Sequence, residues 1–131
     1  MTNRTLAELI VLAGTTNEKN GYNGYAKANA DGYGVDYLAK KDLLEVSELT
    51  EALDELRAGY SPGDVYTSGE DQKPEGYLVE KADAVIRALG TFYEVIQEHD
   101  LTAEFVEQII VGKIEYNARR ADTKNSGVKS F

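Results

Sequence analysis

Two pairs of acidic side chains recur at a three-residue spacing in the middle of the sequence. Glu45 and Glu48 form the first pair, and Glu80 and Asp83 form the second. On a helix, at about 100° per residue, carboxylates three residues apart point to nearly the same side and can share a cation. Two facing helices that each contribute such a pair would build an all-oxygen cage suited to Mg²⁺ or Mn²⁺. Taken alone, the second pair would be typical of a solvated acidic face, so the hypothesis depends on all four carboxylates.

Glu45 is the most informative of these acids because a helical wheel places it within an apolar stripe. With Glu45 at zero, Leu38 and Leu56 fall at about 20°, Leu49 at about 40° and Ala52 at about 340°. A carboxylate buried there would be destabilising, or would have a raised pKa, unless a cation or strong donors compensate it. A bound metal and a buried ion pair with a lysine are both open explanations.

A basic stripe near the C terminus could bind phosphate. Lys113, Asn117 and Arg120 recur at i, i+4 and i+7 and would share one helix face. With Lys124 and Lys129 they form the clearest concentration of positive charge in the chain, and arginine suits bidentate contact with phosphate oxygens. The structural alternative is an exposed helix end whose cations favour the C-terminal dipole.

Composition narrows the possible partners and the compartment. The 23 acidic side chains outnumber the 14 basic ones and give a net charge of −9, a field that repels nucleic acid. The absence of cysteine excludes thiolate chemistry and fits a reducing, cytoplasmic setting. The apolar stretch near the N terminus is too short to span a bilayer and is interrupted by Glu8, so no membrane anchor is expected.

Four segments have helical spacing, and none shows the sustained alternation of a half-buried strand, so the predicted fold class is all-α. In chain order the helices are predicted from about Thr5 to Gly14, from Asp36 to Gly59, from Tyr77 to Glu98, and from a cap at Asp100 or Thr102 to about Asn117. Thr5 and Glu8 have the spacing of a capping box.

The remaining segments are predicted to be connections and a tail. Glycine and asparagine in residues 14–34 indicate a long linker, and both prolines with four glycines indicate a loop over residues 60–76. Residues 118–131 are predicted to be a flexible basic tail. At 131 residues the chain fits one domain, 1–131, and antiparallel packing would give a four-helix bundle with long loops.

The motifs together resemble the MazG-like all-α nucleoside triphosphate pyrophosphohydrolases, in particular the small single-module members of phages and bacteria. That family carries EExxE on one helix and ExxD on the next, and the matching text here is LEVSELTEAL (44–53) and EKADAVIRAL (80–89). KIEYNARR (113–120) is similar to the family's K, N and R signature. Leu44 replaces the first Glu of the doublet, whose contact Glu51 could supply, and NSGVK (125–129) only approximates the family's ending.

The resemblance implies Mg²⁺-dependent hydrolysis of a nucleoside triphosphate, with a deoxynucleotide expected, between its α and β phosphates to give a monophosphate and pyrophosphate. Mn²⁺ would be a substitute ion. Family members are dimers or tetramers, so a homo-oligomeric MazG-like bundle is expected, with no nucleic-acid or membrane partner.

The resemblance also assigns individual residues. The expected metal ligands are Glu45, Glu48, Glu80 and Asp83. Either glutamate of the first pair could accept the proton of the attacking water. The expected substrate-binding residues are Lys113, Asn117 and Arg120, together with Tyr22, because NEKNGY (17–22) is similar to a family segment at the pocket's edge.

Two alternatives remain open at this stage. A non-catalytic helical interaction protein would keep the apolar stripes and use its carboxylates as a solvated acidic surface. A sister enzyme of the same superfamily, such as an all-α dUTPase or a phosphoribosyl-ATP pyrophosphatase, would share the metal cage and differ in its base pocket. Base choice would depend on residues 20–37 and 60–77, which are loop segments in this prediction.

Overall fold

The computed structural model describes residues 3–123, which form five α-helices and one short hairpin. In chain order the elements are α1 (Leu6–Lys19), α2 (Tyr25–Ala30), α3 (Gly34–Arg57), β1 (Tyr66–Ser68), β2 (Lys73–Glu75), α4 (Tyr77–Glu98) and α5 (Ala103–Thr123). The predicted mainly helical class is confirmed. Within the described residues no helix combines the length and apolar character needed to cross a membrane.

Helix α1 begins as predicted and ends later than predicted. Thr5 accepts a hydrogen bond from the N–H of Glu8, whose side chain accepts from the N–H of Thr5, so the predicted capping box is confirmed. The predicted stop at Gly14 is wrong, because the helix continues to Lys19. Gly14 is buried against Tyr93 of α4, and a Cβ at this position would lie 1.9 Å from the Cγ of that ring. The glycine therefore permits close helix packing.

The predicted linker over residues 14–34 is wrong in two respects. Its first part belongs to α1, and α2 occupies Tyr25–Ala30. This short helix is held by Tyr25, whose backbone N–H donates to Glu94 and whose hydroxyl lies 2.8 Å from Nε2 of His99. Tertiary contacts thus order a stretch whose composition favours turns.

The segment between α3 and α4, predicted as a loop, contains an antiparallel hairpin. Tyr66 pairs with Glu75, Thr67 with Pro74 and Ser68 with Lys73. Strands of three residues are too short to produce a recognisable alternation, which is why the sequence gives no strand signal.

Gly76 joins this hairpin directly to α4. Its φ of 131° lies in a region that other residues rarely adopt, and a Cβ there would lie 2.2 Å from the carbonyl oxygen of Asp64. The start of α4 therefore packs closely against the backbone that leads into β1.

Helices α4 and α5 carry the C-terminal half. The predicted bounds of α4, Tyr77–Glu98, are confirmed. The hydroxyl of Thr102 accepts from the N–H of Phe105, so the first turn of α5 is capped by Thr102 rather than Asp100. Helix α5 extends to Thr123, so the prediction that the tail starts at 118 is wrong. Residues 124–131, with Lys124, Lys129 and the NSGVK segment, lie outside the described residues.

The apolar core and the polar interior occupy different helix contacts. The core joins α1, α4 and α5 through Ala7, Ile10, Leu89, Ile96, Ala103 and Val106. Helix α3 packs mainly against α4, and its buried residues are Gly34, Glu48 and Ala52. The α3–α4 contact is therefore where charged groups are removed from water.

Candidate metal centre

Three of the four acids singled out in the sequence converge between α3 and α4. Glu48, Glu80 and Asp83 each offer a carboxylate oxygen, and these oxygens lie within 4.8 Å of one another. Glu48 and Glu80 are 8% and 6% exposed, and Asp83 is partly buried. The i, i+3 spacing places Glu80 and Asp83 on one side of α4, and that side faces the buried carboxylate of α3.

Glu45 lies outside this group. It is half-buried on α3, and burial together with the charge of Asp42 raises its pKa. The buried stripe of α3 lies farther from Glu45 than predicted, because Leu49 is 44% exposed whereas Glu48 and Ala52 are buried. The buried carboxylate of this helix is therefore Glu48.

Glu48 is stabilised as an anion by an ion pair across the helix contact. Burial alone would raise its pKa, but the hydrogen bond and charge of Arg87, together with hydrogen bonds to Glu51 and Glu80, outweigh that effect and lower the pKa of Glu48. The Nε of Arg87 donates to Oε1 of Glu48 at 2.8 Å. The compensating cation is thus an arginine on α4.

The pKa values of Glu80 and Asp83, in contrast, are raised. Burial raises the pKa of Glu80 to about 7, and the neighbouring carboxyl groups of Glu51, Asp83 and Glu48 add to the effect. Burial and the charge of Glu48 also raise the pKa of Asp83. Three acids held this closely share excess negative charge, which a divalent cation would neutralise.

The chemistry of the donor set fits a hard divalent cation. All three ligand atoms are carboxylate oxygens, the type that Mg²⁺ and Mn²⁺ prefer. Opposite ligands of an octahedral Mg²⁺ are about 4.2 Å apart, from metal–oxygen distances of about 2.1 Å. A spread within 4.8 Å is therefore close to what one shared ion needs.

A cavity of about 590 Å³ opens beside the cluster. Its lining residues come from α1, the α1–α2 connection, α3 and α4: Asn17, Tyr22, Lys41, Leu44, Glu48, Asp83, Ile86 and Arg87. This volume is within the range of small-molecule pockets, about 300–1,000 Å³. The lining combines two anions, two cations, an amide and apolar surface, so it can receive a ligand with both charged and uncharged parts.

Sequence reasoning missed Lys41, Arg87 and Asn17 as cavity residues. Lys41 lies seven residues before Glu48 and Arg87 lies four residues after Asp83, so helical spacing alone would have found both. Asn17 gave no such signal, because its position depends on tertiary packing. A Cβ on Gly90 would lie 2.5 Å from its Nδ2, so this glycine makes room for the amide.

A second group of carboxylates extends the acidic region toward the hairpin. Oxygens of Glu55, Glu75 and Glu80 also lie within 4.8 Å of one another. The hydroxyl of Tyr66 donates to both oxygens of Glu55, at 2.8 and 3.1 Å, and Lys73 lies 3.9 Å from Glu75. Glu80 thus belongs to both groups.

The basic stripe of α5 lies outside the cavity beside the carboxylates. Lys113, Asn117 and Arg120 are exposed, and none of them lines the cavity beside the carboxylates. Within the described residues α5 packs against α1 and α4 and does not contact α3. Tyr22, in contrast, does line this cavity, with 64% of its surface exposed.

The chain has no significant match among protein-family models, curated proteins or solved structures.

Proposed function

We propose that this chain is a Mg²⁺-dependent nucleoside triphosphate pyrophosphohydrolase of the MazG-like kind, cleaving between the α and β phosphates. The observation that carries the proposal is the convergence of Glu48, Glu80 and Asp83 beside a mixed-charge cavity that Glu48 and Asp83 line. The spacing of the second motif accounts for Glu80 and Asp83 sharing one side of α4, whereas only Glu48 of the first pair joins them. Tyr22, Leu44 and Ile86 give the cavity aromatic and apolar surface suited to a nucleoside.

The side chains have compatible roles in such a reaction. Glu48, Glu80 and Asp83 would hold the ion, and Mn²⁺ could replace Mg²⁺. The chemistry that Mg²⁺ supplies when bound is neutralisation of phosphate charge and a lower pKa for an attacking water. Glu48 is ionised and lies in the cavity, whereas Glu45 has the raised pKa that suits a proton acceptor but lies outside the cluster. Glu45→Gln and Glu48→Gln therefore separate the two candidates for proton acceptance.

A homo-oligomer forms part of the proposal, because it gives the α5 stripe a route to substrate. The second half of α5 is exposed throughout residues 111–120, including Val111, Ile114 and Tyr116. Exposed apolar side chains of this kind are typical of contact surfaces. Lys113, Asn117 and Arg120 would then reach phosphate or sugar at a cavity of a neighbouring copy.

A non-catalytic helical interaction protein is the second candidate. It is favoured by large apolar side chains exposed on the outer side of α3, namely Leu43, Val46 and Leu53 at 68%, 54% and 44%. In that case the Arg87–Glu48 ion pair would be purely structural. Titration with Mg²⁺ separates the candidates, because only the enzyme proposal requires specific binding that Glu80→Gln abolishes.

The direct test is pyrophosphate release from all common deoxynucleoside and ribonucleoside triphosphates, with Mg²⁺ and with a chelator. The expected result is release of pyrophosphate and a nucleoside monophosphate from at least one substrate, and only with the metal. The same panel distinguishes the sister enzymes, a dUTPase or a phosphoribosyl-ATP pyrophosphatase, once dUTP and phosphoribosyl-ATP are included. No turnover on any of these, with either Mg²⁺ or Mn²⁺, contradicts the proposal.

A further inference from the structure

We infer that Lys41 and Arg87 form a phosphate-binding pair in the cavity that Glu48 and Asp83 also line. The inference deepens the proposed function and rests on it for the identity of the ligand as a nucleoside triphosphate. It assigns phosphate contact within one protomer to cations of α3 and α4, which the sequence motifs do not mark.

Each of the two helices gives the cavity one anion and one cation. On α3, Lys41 and Glu48 are seven residues apart, and on α4, Asp83 and Arg87 are four apart, so each pair shares a helix face. The helices run antiparallel, because Lys41 lies opposite Glu94 whereas Glu48 lies opposite Arg87.

The cavity therefore has a carboxylate end and a lysine end. The carboxylate cluster lies toward the start of α4, whereas Lys41 lies about 10 Å from Glu48 along α3, at 1.5 Å per residue. A triphosphate with its metal is comparable in length. Phosphate groups beside the metal can therefore contact Arg87 first and Lys41 farther along the groove.

The ammonium group of Lys41 forms a long ion pair and a cation–π contact, and it keeps hydrogen-bond donors for a ligand. It lies 3.9 Å from Oε2 of Glu94, which is longer than a hydrogen bond, and 5.5 Å from the centre of the Tyr37 ring. Glu94 has further donors: the Tyr37 hydroxyl lies 2.9 and 3.0 Å from its two carboxylate oxygens, and the N–H of Tyr25 donates at 3.1 Å. Among the described residues Lys41 makes no hydrogen bond through its ammonium group.

The surroundings also restrict where that ammonium group can lie. The Lys41 side chain is only 20% exposed, and the hydroxyl of Tyr37 is fixed by Glu94 and by the N–H of Gly24. Burial and the hydrogen bond to Glu94 raise the pKa of Tyr37 to about 12, so the phenol stays protonated as a donor. A half-buried cation held in a cavity wall loses less freedom on binding an anion than a surface lysine does.

Arg87 has donors to spare. Its Nε donates to Glu48. The four N–H groups of the two terminal guanidinium nitrogens remain as donors for a ligand. The side chain is 39% exposed at the cavity. A guanidinium can donate to a carboxylate along one edge and to a phosphate along the other, because its donors are fixed in a planar fork.

The test is calorimetric titration of the full-length protein with inorganic tripolyphosphate in the presence of Mg²⁺. Lys41→Gln should weaken binding at least tenfold, and Lys40→Gln, which removes the same charge from an exposed neighbour, should change it less than twofold. Lys41→Met is a second variant that keeps the aliphatic stem. Arg87→Lys should also weaken binding, because it keeps the charge and loses the fork. Thermal unfolding of each variant reports whether the fold is retained.

The outcomes separate this inference from the proposed activity. If wild-type protein does not bind tripolyphosphate, or if Lys41 and Lys40 variants bind it equally well, the inference is overturned even if nucleotides are hydrolysed. If no nucleotide is hydrolysed but binding depends on Lys41, the phosphate site stands and the hydrolase proposal fails. Loss of binding in Lys113→Gln but not in Lys41→Gln would also overturn the inference, since it would move the site to α5.

Discussion

The Nε of Arg87 donates a 2.8 Å hydrogen bond to Oε1 of Glu48 and so joins α4 to α3 through their charged side chains. Glu48 is 8% exposed, and a buried anion of this kind is strongly destabilising unless a partner compensates it. Both residues also line the cavity. The Arg87–Glu48 ion pair therefore both stabilises the contact of α3 with α4 and determines the charges that a ligand in the cavity would meet.

Replacing Glu48 with glutamine should separate folding from activity. The amide oxygen of Glu48→Gln can still accept the Arg87 hydrogen bond, so the thermal midpoint should change little. Loss of one anionic ligand should reduce Mg²⁺-dependent pyrophosphate release roughly 100-fold or more. Glu115→Gln, an exposed change on α5, is the matched control. Unchanged turnover would remove Glu48 from the mechanism.

The stability of the metal-free protein should fall as pH rises from 5 to 8. The pKa of Glu80 is raised from 4.5 to about 7, so the folded state retains a proton that the unfolded chain loses, and the folded state loses stability as pH rises through that window. The raised pKa values of Glu45 and Asp83 act in the same direction. Glu48, whose pKa is lowered, is ionised in both states above pH 5.

The measurement is the thermal midpoint against pH in a chelating buffer. Glu80→Gln should flatten the profile, and added Mg²⁺ should raise the wild-type midpoint most at the alkaline end, where the ligands are ionised. A wild-type profile that rises steadily from pH 5 to 8 would contradict the environment described for Glu80.

Glu94→Ala should destabilise the fold without touching the carboxylate cluster. The substitution leaves the hydroxyl of Tyr37 and the N–H of Tyr25 without their acceptor, and each buried donor left unpaired costs about 1–3 kcal/mol. The free energy of unfolding in urea should fall by about 2–4 kcal/mol. Gln97→Ala, at an exposed site on the same helix, should have a small effect. Equal effects of the two substitutions would show that Glu94 does not anchor α2.

Two glycine-to-alanine substitutions should have opposite effects. Gly14→Ala places a methyl group on Tyr93 and should destabilise the protein by at least about 1–3 kcal/mol, since α1 and α4 must move apart. Gly112→Ala, in the interior of α5 with no atom within 4 Å of the added carbon, should stabilise it by about 0.5–1 kcal/mol. Urea denaturation measures both, and stabilisation by Gly14→Ala would refute the packing described.

The protein is expected to be a dimer or a tetramer. Light scattering at micromolar concentration should give a mass that is two or four times that of one chain. An Ile114→Glu substitution on the exposed side of α5 should lower that mass, because it places a charge on an apolar contact surface. A wild-type monomer would contradict the oligomer and would leave Lys113, Asn117 and Arg120 without a route to the cavity.

Periodicity predicted the helices that carry strong patterns and failed where tertiary contacts decide. The bounds of α4 are those predicted, and α3 begins two residues before the predicted Asp36. Gly14 does not end α1 as predicted, because its lack of a side chain makes room for Tyr93. Helix α2 could not be predicted, because its order comes from Glu94, which is 69 residues away from Tyr25 in the chain.

The candidate site was predictable from helical spacing within each helix but not where it depends on how the helices pack. The i, i+3 spacing places Glu80 and Asp83 on one face, as predicted, but the buried face of α3 is rotated by about 40° from the predicted one, toward Glu48 and Ala52, which leaves Glu45 outside the cluster. A wheel cannot fix that rotation, since it is set by which face meets α4. Helical spacing places Arg87 on the same face as Asp83, but its hydrogen bond to Glu48 depends on how α3 and α4 pack and could not be predicted from spacing.

The tight junction at Gly76 has a consequence for how this chain can tolerate insertions and deletions. Because Gly76 has a backbone conformation that only glycine adopts easily and lies against the carbonyl of Asp64, an added residue there should disrupt the close packing at the start of α4, near Glu80. The exposed turn over residues 69–72 is held by hydrogen bonds within the hairpin itself, such as that from Nε2 of Gln72 to the carbonyl of Gly69, so a change of length there should leave α4 in place. Length variation in this region should therefore concentrate at the hairpin tip, which makes that tip the place to attach a tag or a reporter.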